Sequence, residues 1–444
     1  MDWSKLPDVA VVALLTLAFL SVARYGRTSS SGIWLVGWLM IVVHFGAFMF
    51  LPAPGIAGIV SLVLGTSALA WAGILFMWAS VPYRSRVSSR WMLAALITGN
   101  TFYIVVLCLA PASDWLLKPA AVLIGALPLL VSLGSSRSFR HPLRWSIVVM
   151  YSALSVFLLT VENRPGVGPS LAINAVLFAV YFGCCVHFWY AYRRATAGAV
   201  ITVLGFLAWA NVFTAGPAVL TFWPQVHLEG EVWNLPKYVV AIGMILILLE
   251  DQIEHNKYLA LHDELTGLPN RRLFADRLAN ALERARRTGS QAALLLIDLD
   301  QFKQVNDSMG HHIGDDLLKH VSRLFLGRVR RSDTVARTGG DEFSVILEEP
   351  VSRSDALRVA RSLTQLLVDP ILLEGHTVRI GASVGIAVFP EDGGDAEALC
   401  IAADLRMYAS KGAVRSREER CAQATVLVDG FQATGPDPGL RLAE

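Results

Sequence analysis

Long runs of hydrophobic residues, separated by short polar segments, fill positions 1–249 of the chain. Most runs have roughly 17 to 25 residues, the length of an α-helix that crosses a bilayer. We therefore predict a multi-pass helical membrane region of about nine helices over residues 1–249, with sensory input as its expected role. The approximate spans are Val9–Ala23, Ile33–Leu51, Gly55–Ala79, Trp91–Leu109, Leu116–Leu133, Leu143–Val161, Leu171–Tyr192, Val200–Phe222 and Tyr238–Leu249.

The charges of the loops predict the orientation of this region. Arginines occur in alternate loops, and by the positive-inside rule these loops face the cytoplasm. An odd number of helices then places the N-terminus outside an inner (cytoplasmic) membrane and the chain after position 249 inside. Asp2 and Asp8 flank the first run without a basic segment, which favours a retained helix over a cleaved signal peptide. The arginines are Arg24, Arg27, Arg84, Arg86, Arg90, Arg137, Arg140, Arg144, Arg193 and Arg194.

A few polar residues lie within the predicted spans. Polar groups are costly in a bilayer and often functional, so these residues could line a ligand or metal site. Uncharged polar side chains more commonly serve as contacts between helices. The residues concerned are His44, Asn100, Cys184, Cys185 and His187.

Residues 250–262 continue the last run as a polar helix that connects it to the rest of the chain. Small and apolar side chains recur along it at three- and four-residue spacing, as in a short coiled-coil seam. The pattern fits either a contact between two copies of the chain or a plain connector. The seam positions are Leu246, Leu249, Ile253, Asn256 and Ala260.

Shorter alternating elements predict an α/β domain over residues 263–432, followed by a loose tail over 433–444. The predicted order is α-β-α-β-β-α-β-β-α, a mixed central sheet with helices on its faces. The elements are a helix Asn270–Arg287, a strand Ala292–Leu299, a helix Gly314–Val329, a hairpin of Ser332–Arg337 and Phe343–Leu347, a helix Ala356–Leu367, a strand Ile371–Leu373 that turns at Glu374–Gly375 into a long strand Val378–Val388, and a helix Ala396–Lys411, with a late strand Ala424–Val428.

Acidic residues follow two of these strands. The apolar run Ala292–Ile297 leads into Asp298, and the hairpin tip Gly339–Gly340 is followed by Asp341. Glycine permits positive φ and leaves room for a ligand beside the backbone. Each acid alone could be an ordinary turn residue, but together their oxygens suit a Mg²⁺ ion that carries phosphates. The sequence therefore predicts a metal-assisted nucleotide site.

The chain resembles the GGDEF family of diguanylate cyclases over about residues 261–417, because six motifs occur there in the order and spacing that the family shows. They are Asp263–Arg272, Asp298–Asp307, Gly310–Asp315, Arg337–Phe343, Ser383–Ala387 and Ala403–Lys411. The resemblance implies the palm-like fold that this family shares with nucleotide cyclases and polymerases. It also implies an enzyme that joins two GTP molecules into cyclic di-GMP and releases two pyrophosphates.

The resemblance also implies a role for each matching position. Asp298, Asp341 and the Leu299 carbonyl correspond to the ligands of Mg²⁺, with Mn²⁺ as the alternative ion. Lys303, Asp341 and Glu342 correspond to catalytic residues, and it stays open which of the two acids assists deprotonation of the attacking 3′-hydroxyl. Asn306 and Asp315 correspond to the residues that read guanine. The full set of implied substrate contacts is Phe302, Asn306, His311, Asp315, Gly339, Gly340, Lys411 and Arg415.

Regulation and assembly are implied in the same way. Arg330 and Asp333 resemble the family's inhibitory site for its product, although a surface salt bridge is the alternative interpretation. Arg358 and Arg361 are candidates for the second arm of that site. Because each domain resembles half of an active site, the resemblance implies a homodimer formed through the cyclase domain and the connector.

The composition of the chain limits the class of protein and the kinds of partner that we expect. The 444-residue chain is 54% hydrophobic with a mean hydropathy of +0.50, which argues against an ordinary soluble protein and for a lipid bilayer as a partner. The net charge of +2 gives no reason to expect nucleic acid. Val414 and Ser416 depart from the family, so Arg415 rests on spacing alone. An inactive module that binds GTP or cyclic di-GMP and a transporter with a structural appendage are the rival interpretations, and the retained acids favour the enzyme.

Overall fold

The computed structural model describes residues 1–25, 31–80, 87–111, 113–134, 142–161, 168–192, 195–223, 225, 230–348 and 351–411. The chain divides into two compact units, of which the first is Met1–Glu254 and the second begins at His255. The predicted strand Ala424–Val428, the tail and Arg415 lie outside the described residues.

Nine helices within the described residues are long and apolar enough to cross a membrane, which confirms the predicted multi-pass helical region. The last helix begins earlier than predicted and continues through the connector as far as Leu261. The helices are α1 (Leu6–Tyr25), α2 (Ser31–Phe48), α3 (Ile56–Ala79), α4 (Val87–Leu109), α5 (Asp114–Leu133), α6 (Pro142–Val161), α7 (Gly168–Ala191), α8 (Ala197–Phe222) and α9 (Gly230–Leu261).

Two buried polar side chains of the first unit, those of His44 and Cys184, bond to the backbones of neighbouring helices. His44 Nδ1 in α2 lies 2.9 Å from the Gly65 carbonyl oxygen in α3. Cys184 Sγ in α7 donates to the Gly73 carbonyl oxygen at 3.1 Å. These bonds favour a role in helix contacts for both residues.

Asp8 and Lys237 are among the charged residues buried in the first unit. The Tyr238 hydroxyl donates to Asp8 Oδ1 at 2.9 Å, and Lys237 Nζ donates to Asn234 Oδ1 at 2.5 Å. Lys237 Nζ also lies 4.6 Å from the centre of the Phe45 ring. Sequence analysis missed this group, because α1 and α9 begin before the hydrophobic runs that predict them.

The second unit contains a four-stranded sheet in the order β2-β3-β1-β6 and a separate β4-β5 hairpin. The α/β architecture with a central sheet is confirmed, and every pairing among the described strands is antiparallel. The strands are β1 (Ala292–Asp300), β2 (Thr334–Arg337), β3 (Glu342–Leu347), β4 (Ile371–Leu373), β5 (His376–Val378) and β6 (Gly381–Phe389). The helices are α10 (Arg271–Thr288), α11 (Phe302–Met309), α12 (His311–Arg328), α13 (Arg353–Gln365) and α14 (residues 396–411).

Alternate side chains of β1 enter two different hydrophobic cores. Leu295 and Ile297 lie in a core with residues of α12 and α13, whereas Leu294 lies in a core with residues of α10 and α14. This double cover explains why the strand is apolar at nearly every position. Strand alternation puts Asp298 on the same face as Leu294, the face that α14 covers.

Two parts of the predicted element order are wrong. Helix α11 was not predicted, because its buried face consists of only Phe302 and Val305, too few residues to show a helical period. The long strand Val378–Val388 is interrupted, since Val378 ends β5 and β6 begins at Gly381 in the main sheet. The turn between β4 and β5 at Glu374–Gly375 occurs as predicted.

Helix α14 is held against β6 by a close backbone approach and by an ionic network. A Cβ atom at Gly385 would overlap the Ala403 carbonyl oxygen, so a side chain there would push α14 off the sheet. Asp392, after β6, accepts hydrogen bonds from Arg406 in α14, from Arg353 and from the Val388 backbone N–H. The hydrogen bonds from Arg406 have the largest effect on Asp392 and hold its pKa well below its ordinary value. Burial opposes this shift, and the bonds from Val388 and Arg353 add to it.

Replacement of Asp392 by Asn should lower the free energy of unfolding at pH 7 by about 1–3 kcal/mol, since both arginines lose a charged partner but stay partly solvated. The depressed native pKa means that this carboxylate contributes stability above its unfolded pKa of about 3.9 and loses that contribution as the pH falls. The gap between wild type and D392N should therefore shrink from pH 7 towards pH 3. Urea denaturation of the full chain, followed by circular dichroism, measures the gap.

Asp404→Asn is the matched control, because Asp404 is an exposed acid of α14, the helix that carries Arg406. A pH-independent gap, or an equal loss in D404N, would contradict the ionic role of Asp392.

Candidate active site

The register of β1 against β3 places the hairpin tip beside the end of β1. Asp298 lies opposite Glu342, and the Leu299 backbone N–H donates to the Asp341 carbonyl oxygen at 3.2 Å. This bond extends the strand pairing up to the acids of the hairpin. The two acidic segments that the sequence predicts to meet, Asp298 and Asp341, are therefore neighbours.

The hairpin turns between Thr338 and Glu342. The backbone N–H groups of Thr338 and Gly339 both donate to the Glu342 carbonyl oxygen, at 3.0 and 3.4 Å. Neither Gly339 nor Gly340 has positive φ, so that part of the expectation is wrong. Glycine at 339 serves close approach instead, because a Cβ atom there would lie 2.5 Å from Glu342 Oε2.

Arg337 fixes the tip to the loop that follows α9. Its Nε and Nη2 atoms donate to the Gly340 carbonyl oxygen at 3.1 and 2.7 Å, while Nη1 lies 3.0 Å from Asp263 Oδ1. The Arg337 side chain is only 13% exposed. Burial alone would raise the pKa of Asp263, but hydrogen bonds from Thr266 and Arg337 lower it below its usual range. Sequence analysis assigned no role to this pair, whose only signal was membership of two matching motifs.

Asp298 is buried and paired with a lysine from α14. The Lys411 ammonium lies 2.8 Å from Asp298 Oδ2, and the Asp298 residue is 6% exposed. Burial chiefly, and then the charges of Asp341 and Asp300, raise the pKa of Asp298 against the opposing effect of Lys411. Burial opposes protonation of Lys411, but the hydrogen bond and charge of Asp298 prevail and raise its pKa. Sequence analysis predicted Lys411 as a phosphate ligand and not its pairing with Asp298.

The residues at the end of β1 fit a divalent ion of the Mg²⁺ class. The charges of Asp341 and Asp300 repel the charge of Asp298, and a bound cation would relieve that repulsion. The oxygens available are hard ligands: the carboxylates of Asp298 and Asp341 and the carbonyl group of Leu299. Asp300 is engaged differently, since its Oδ1 accepts from Ser383 Oγ at 2.7 Å.

The predicted guanine readers Asn306 and Asp315, and two other predicted site residues near them, lie on two consecutive helices. Lys303 and Asn306 are on α11, and His311 and Asp315 are in the first turns of α12. The Asn306 side chain lies against α12, because a Cβ atom at Gly314 would overlap its Oδ1 atom. This contact brings the Asn306 amide next to the residue before Asp315. Lys303, His311 and Asp315 are exposed, whereas Phe302 is 8% exposed and belongs to the core beneath them. Only the small exposed part of Phe302 can therefore contact a substrate.

Arg330 and Asp333 form a turn before β2. Asp333 Oδ2 accepts from the Arg330 backbone N–H at 2.9 Å, and its Oδ1 accepts from the Glu348 backbone N–H at 3.3 Å. The Asp333 carboxylate is thus bonded to the main chain at two places. Arg330 itself is exposed. Arg358, a candidate second arm, pairs with Asp355.

Comparison with known proteins agrees with the geometry of the second unit. The family model described as "Diguanylate cyclase, GGDEF domain" matches residues 260–417, and these residues form a GGDEF domain. The bifunctional diguanylate cyclase/cyclic di-GMP phosphodiesterase MucR of Pseudomonas aeruginosa is 43% identical over 188 residues, covering 39% of this chain and 27% of MucR. Diguanylate cyclase TpbB of the same organism is 42% identical over 168 residues, covering 38% of this chain and 39% of TpbB.

A solved structure of TpbB that comprises only its GGDEF domain covers 34% of this chain and 89% of that one, at 44% identity and a TM-score of 0.34. The match spans well under half the length of MucR and of TpbB, the two curated relatives named above.

Replacement of Arg337 by Ala should loosen the hairpin tip, because Asp263 and the Gly340 carbonyl group both lose a buried donor. We expect the amides of residues 338–342 to exchange at least ~10-fold faster, which corresponds to about 1.4 kcal/mol or more of lost local stability. Hydrogen-exchange mass spectrometry of the full chain measures this. Arg272→Ala removes an exposed arginine of α10 and should leave the tip unchanged; equal protection in R337A and wild type would show that the clamp is dispensable.

Proposed function

We propose that the chain is a membrane-anchored diguanylate cyclase, which condenses two GTP molecules into cyclic di-GMP and releases two pyrophosphates. The observation that carries this proposal is the junction of Asp298, Lys411 and the Asp341 hairpin at the end of β1, within a GGDEF domain. An acidic pair beside a lysine supplies oxygens for a metal and a cation for a phosphate in one place. The inactive-receptor alternative has no comparable support, since these groups are all present.

Each side chain then has a task that its position allows. Asp298 and Asp341, with the Leu299 carbonyl, would hold Mg²⁺, which when bound polarises the phosphate and lowers the pKa of the attacking hydroxyl. Asn306 and Asp315 would bond the guanine edge, an arrangement that adenine cannot satisfy. Either Asp341 or Glu342 would accept the proton of the 3′-hydroxyl.

The lysines neutralise the triphosphate in this proposal. Lys411 Nζ lies 2.8 Å from Asp298 Oδ2, and a bound metal would compete for the same carboxylate. Lys411 would then be released to pair with phosphate oxygens, assisted by Lys303 on α11. Arg415 would contribute from the segment after α14.

Two copies of the chain are needed for the complete reaction. One domain supports one GTP, so two domains must face each other for each 3′-hydroxyl to meet the α-phosphate of the other nucleotide. The connector part of α9 is suited to this pairing, because Leu249 and Ile253 are 37% and 53% exposed. A homodimer through the domain and the connector is therefore part of the proposal.

The first unit would anchor the enzyme and supply its input. The nine apolar helices suit an inner membrane with the N-terminus outside and the GGDEF domain in the cytoplasm, where GTP is found. Helix α9 carries both the buried Lys237 and the connector, so a signal that displaces α9 in the bilayer would reach the dimer contact without touching the site.

Replacement of Asp341 by Ala tests the activity. Cyclic di-GMP formation by the purified full chain with GTP and Mg²⁺ should fall by ~100-fold or more, because a metal ligand is lost at an exposed tip that the core does not need. Mass spectrometry of the product measures this. Asp369→Ala, the loss of an exposed acid elsewhere in the domain, should retain the wild-type rate. Undiminished synthesis by D341A would refute the metal assignment.

Product feedback is the second test, through the exposed Arg330. The guanidinium group can fork onto the phosphate and guanine of cyclic di-GMP, and product bound there would hold two domains in an unproductive arrangement. Arg330→Ala should therefore raise the final amount of product without changing the initial rate, whereas Arg331→Ala should behave as wild type. Insensitivity of the wild-type enzyme to added cyclic di-GMP would contradict this site.

A further inference from the structure

Three metal-binding side chains converge on the outer side of α12, apart from the acids at the end of β1. His312 and Asp316 are four residues apart on α12 and so share one face of the helix. Glu374 comes from the turn between β4 and β5. The nearest imidazole nitrogen or carboxylate oxygen of each lies within 4.8 Å of the other two.

The spacing of these ligand atoms is close to what an ion requires. Zinc bonds to nitrogen and oxygen ligands are about 2.0–2.2 Å long, which puts two ligands of a tetrahedral ion about 3.3–3.6 Å apart. His312 Nε2 and Glu374 Oε1 are 3.2 Å apart. The Asp316 ligand atom is already within 4.8 Å of both, so the two remaining distances would shorten as the ion binds.

The present partners of these side chains are weak competitors. A protonated His312 would form an ion pair with Glu374, and a metal ion would occupy the position of that shared proton. Asp316 Oδ1 is 3.0 Å from Lys319 Nζ, an i,i+3 pair in which the lysine is 43% exposed. Exposed pairs of this kind contribute little to stability, so a divalent ion can displace the lysine.

We infer that His312, Asp316 and Glu374 bind a divalent transition-metal ion of the Zn²⁺ class. One imidazole and two carboxylates suit zinc or cobalt better than Mg²⁺, which prefers oxygen ligands alone. The side chains of His312 and Glu374 are 70% and 55% exposed, so the ion has open access and water can complete its coordination.

Such an ion would tie the first turns of α12 to the β4-β5 hairpin. Asp315, which is proposed to read the base, and His311, an implied substrate contact, are the neighbours of two ligands, so the metal would rigidify the helix that presents them. This inference does not depend on the proposed enzyme activity, because its test measures metal binding and not catalysis.

Binding of Co²⁺ to the full chain, purified in detergent without a histidine tag, tests this inference. Excess Mg²⁺ is present to occupy the proposed catalytic site. We expect one Co²⁺ per chain with visible absorption bands of a bound ion, which Zn²⁺ abolishes. Both His312→Ala and Glu374→Gly should weaken binding at least ~10-fold. Glu374 has a φ of 47°, where glycine is favoured, so E374G removes the ligand without endangering the fold.

Two controls separate this site from others. His376→Ala removes an exposed histidine of the same hairpin, and Asp341→Ala removes the proposed Mg²⁺ ligand; both should keep the Co²⁺ bands. Undiminished binding in H312A and E374G, or loss of the bands in H376A or D341A, would overturn the assignment.

Discussion

The register of β1 in its sheet is the constraint on which the second unit depends. A slip of one residue would exchange the two faces of the strand, because side chains alternate. Leu295 would then leave the core of α12 and α13, and Asp298 would leave the face of α14. Two cores that differ in their residues thus fix where a single carboxylate points. The Leu299 to Asp341 backbone bond carries the same register to the hairpin.

The electrostatic environment at the end of β1 is unfavourable for the ionised form of Asp298. Asp298 is buried beside other acids, and one lysine does not offset the combined effect of burial and repulsion, so the pKa of Asp298 stays raised. Sites that store such a cost are more often functional than structural. The surrounding structure holds the acids in place through contacts that do not involve them: Arg337 fastens the hairpin, and Asp392 with Gly385 fastens the helix that brings Lys411. Neither fastening requires a nucleotide.

Local pattern was sufficient to predict much of this unit. The apolar run of β1 and the glycine pair between two strands depend on neighbouring residues, and both elements occur where expected. Contacts between distant segments were beyond such reasoning. The Arg337–Asp263 pair and the Lys411–Asp298 pair join positions more than 70 residues apart in the chain. No periodicity can reveal them.

The failures have equally local causes. Helix α11 has too small a buried face to show a period, and the alternation from Val378 to Val388 continues through a real break because Ile380 is also buried. In the first unit, hydrophobicity located the helices but not their polar first residues. Asp8 and Lys237 stand at such starts, where a search for apolar runs does not look.

The central claim is that each GGDEF domain provides half of a site that makes cyclic di-GMP from GTP. Its most direct test is the rate of cyclic di-GMP formation by the full chain in lipid nanodiscs that hold either one copy or two. Discs with two copies should form product with GTP and Mg²⁺, and discs with one copy should form almost none. Equal rates per copy in the two preparations, or no product from either, would contradict the account.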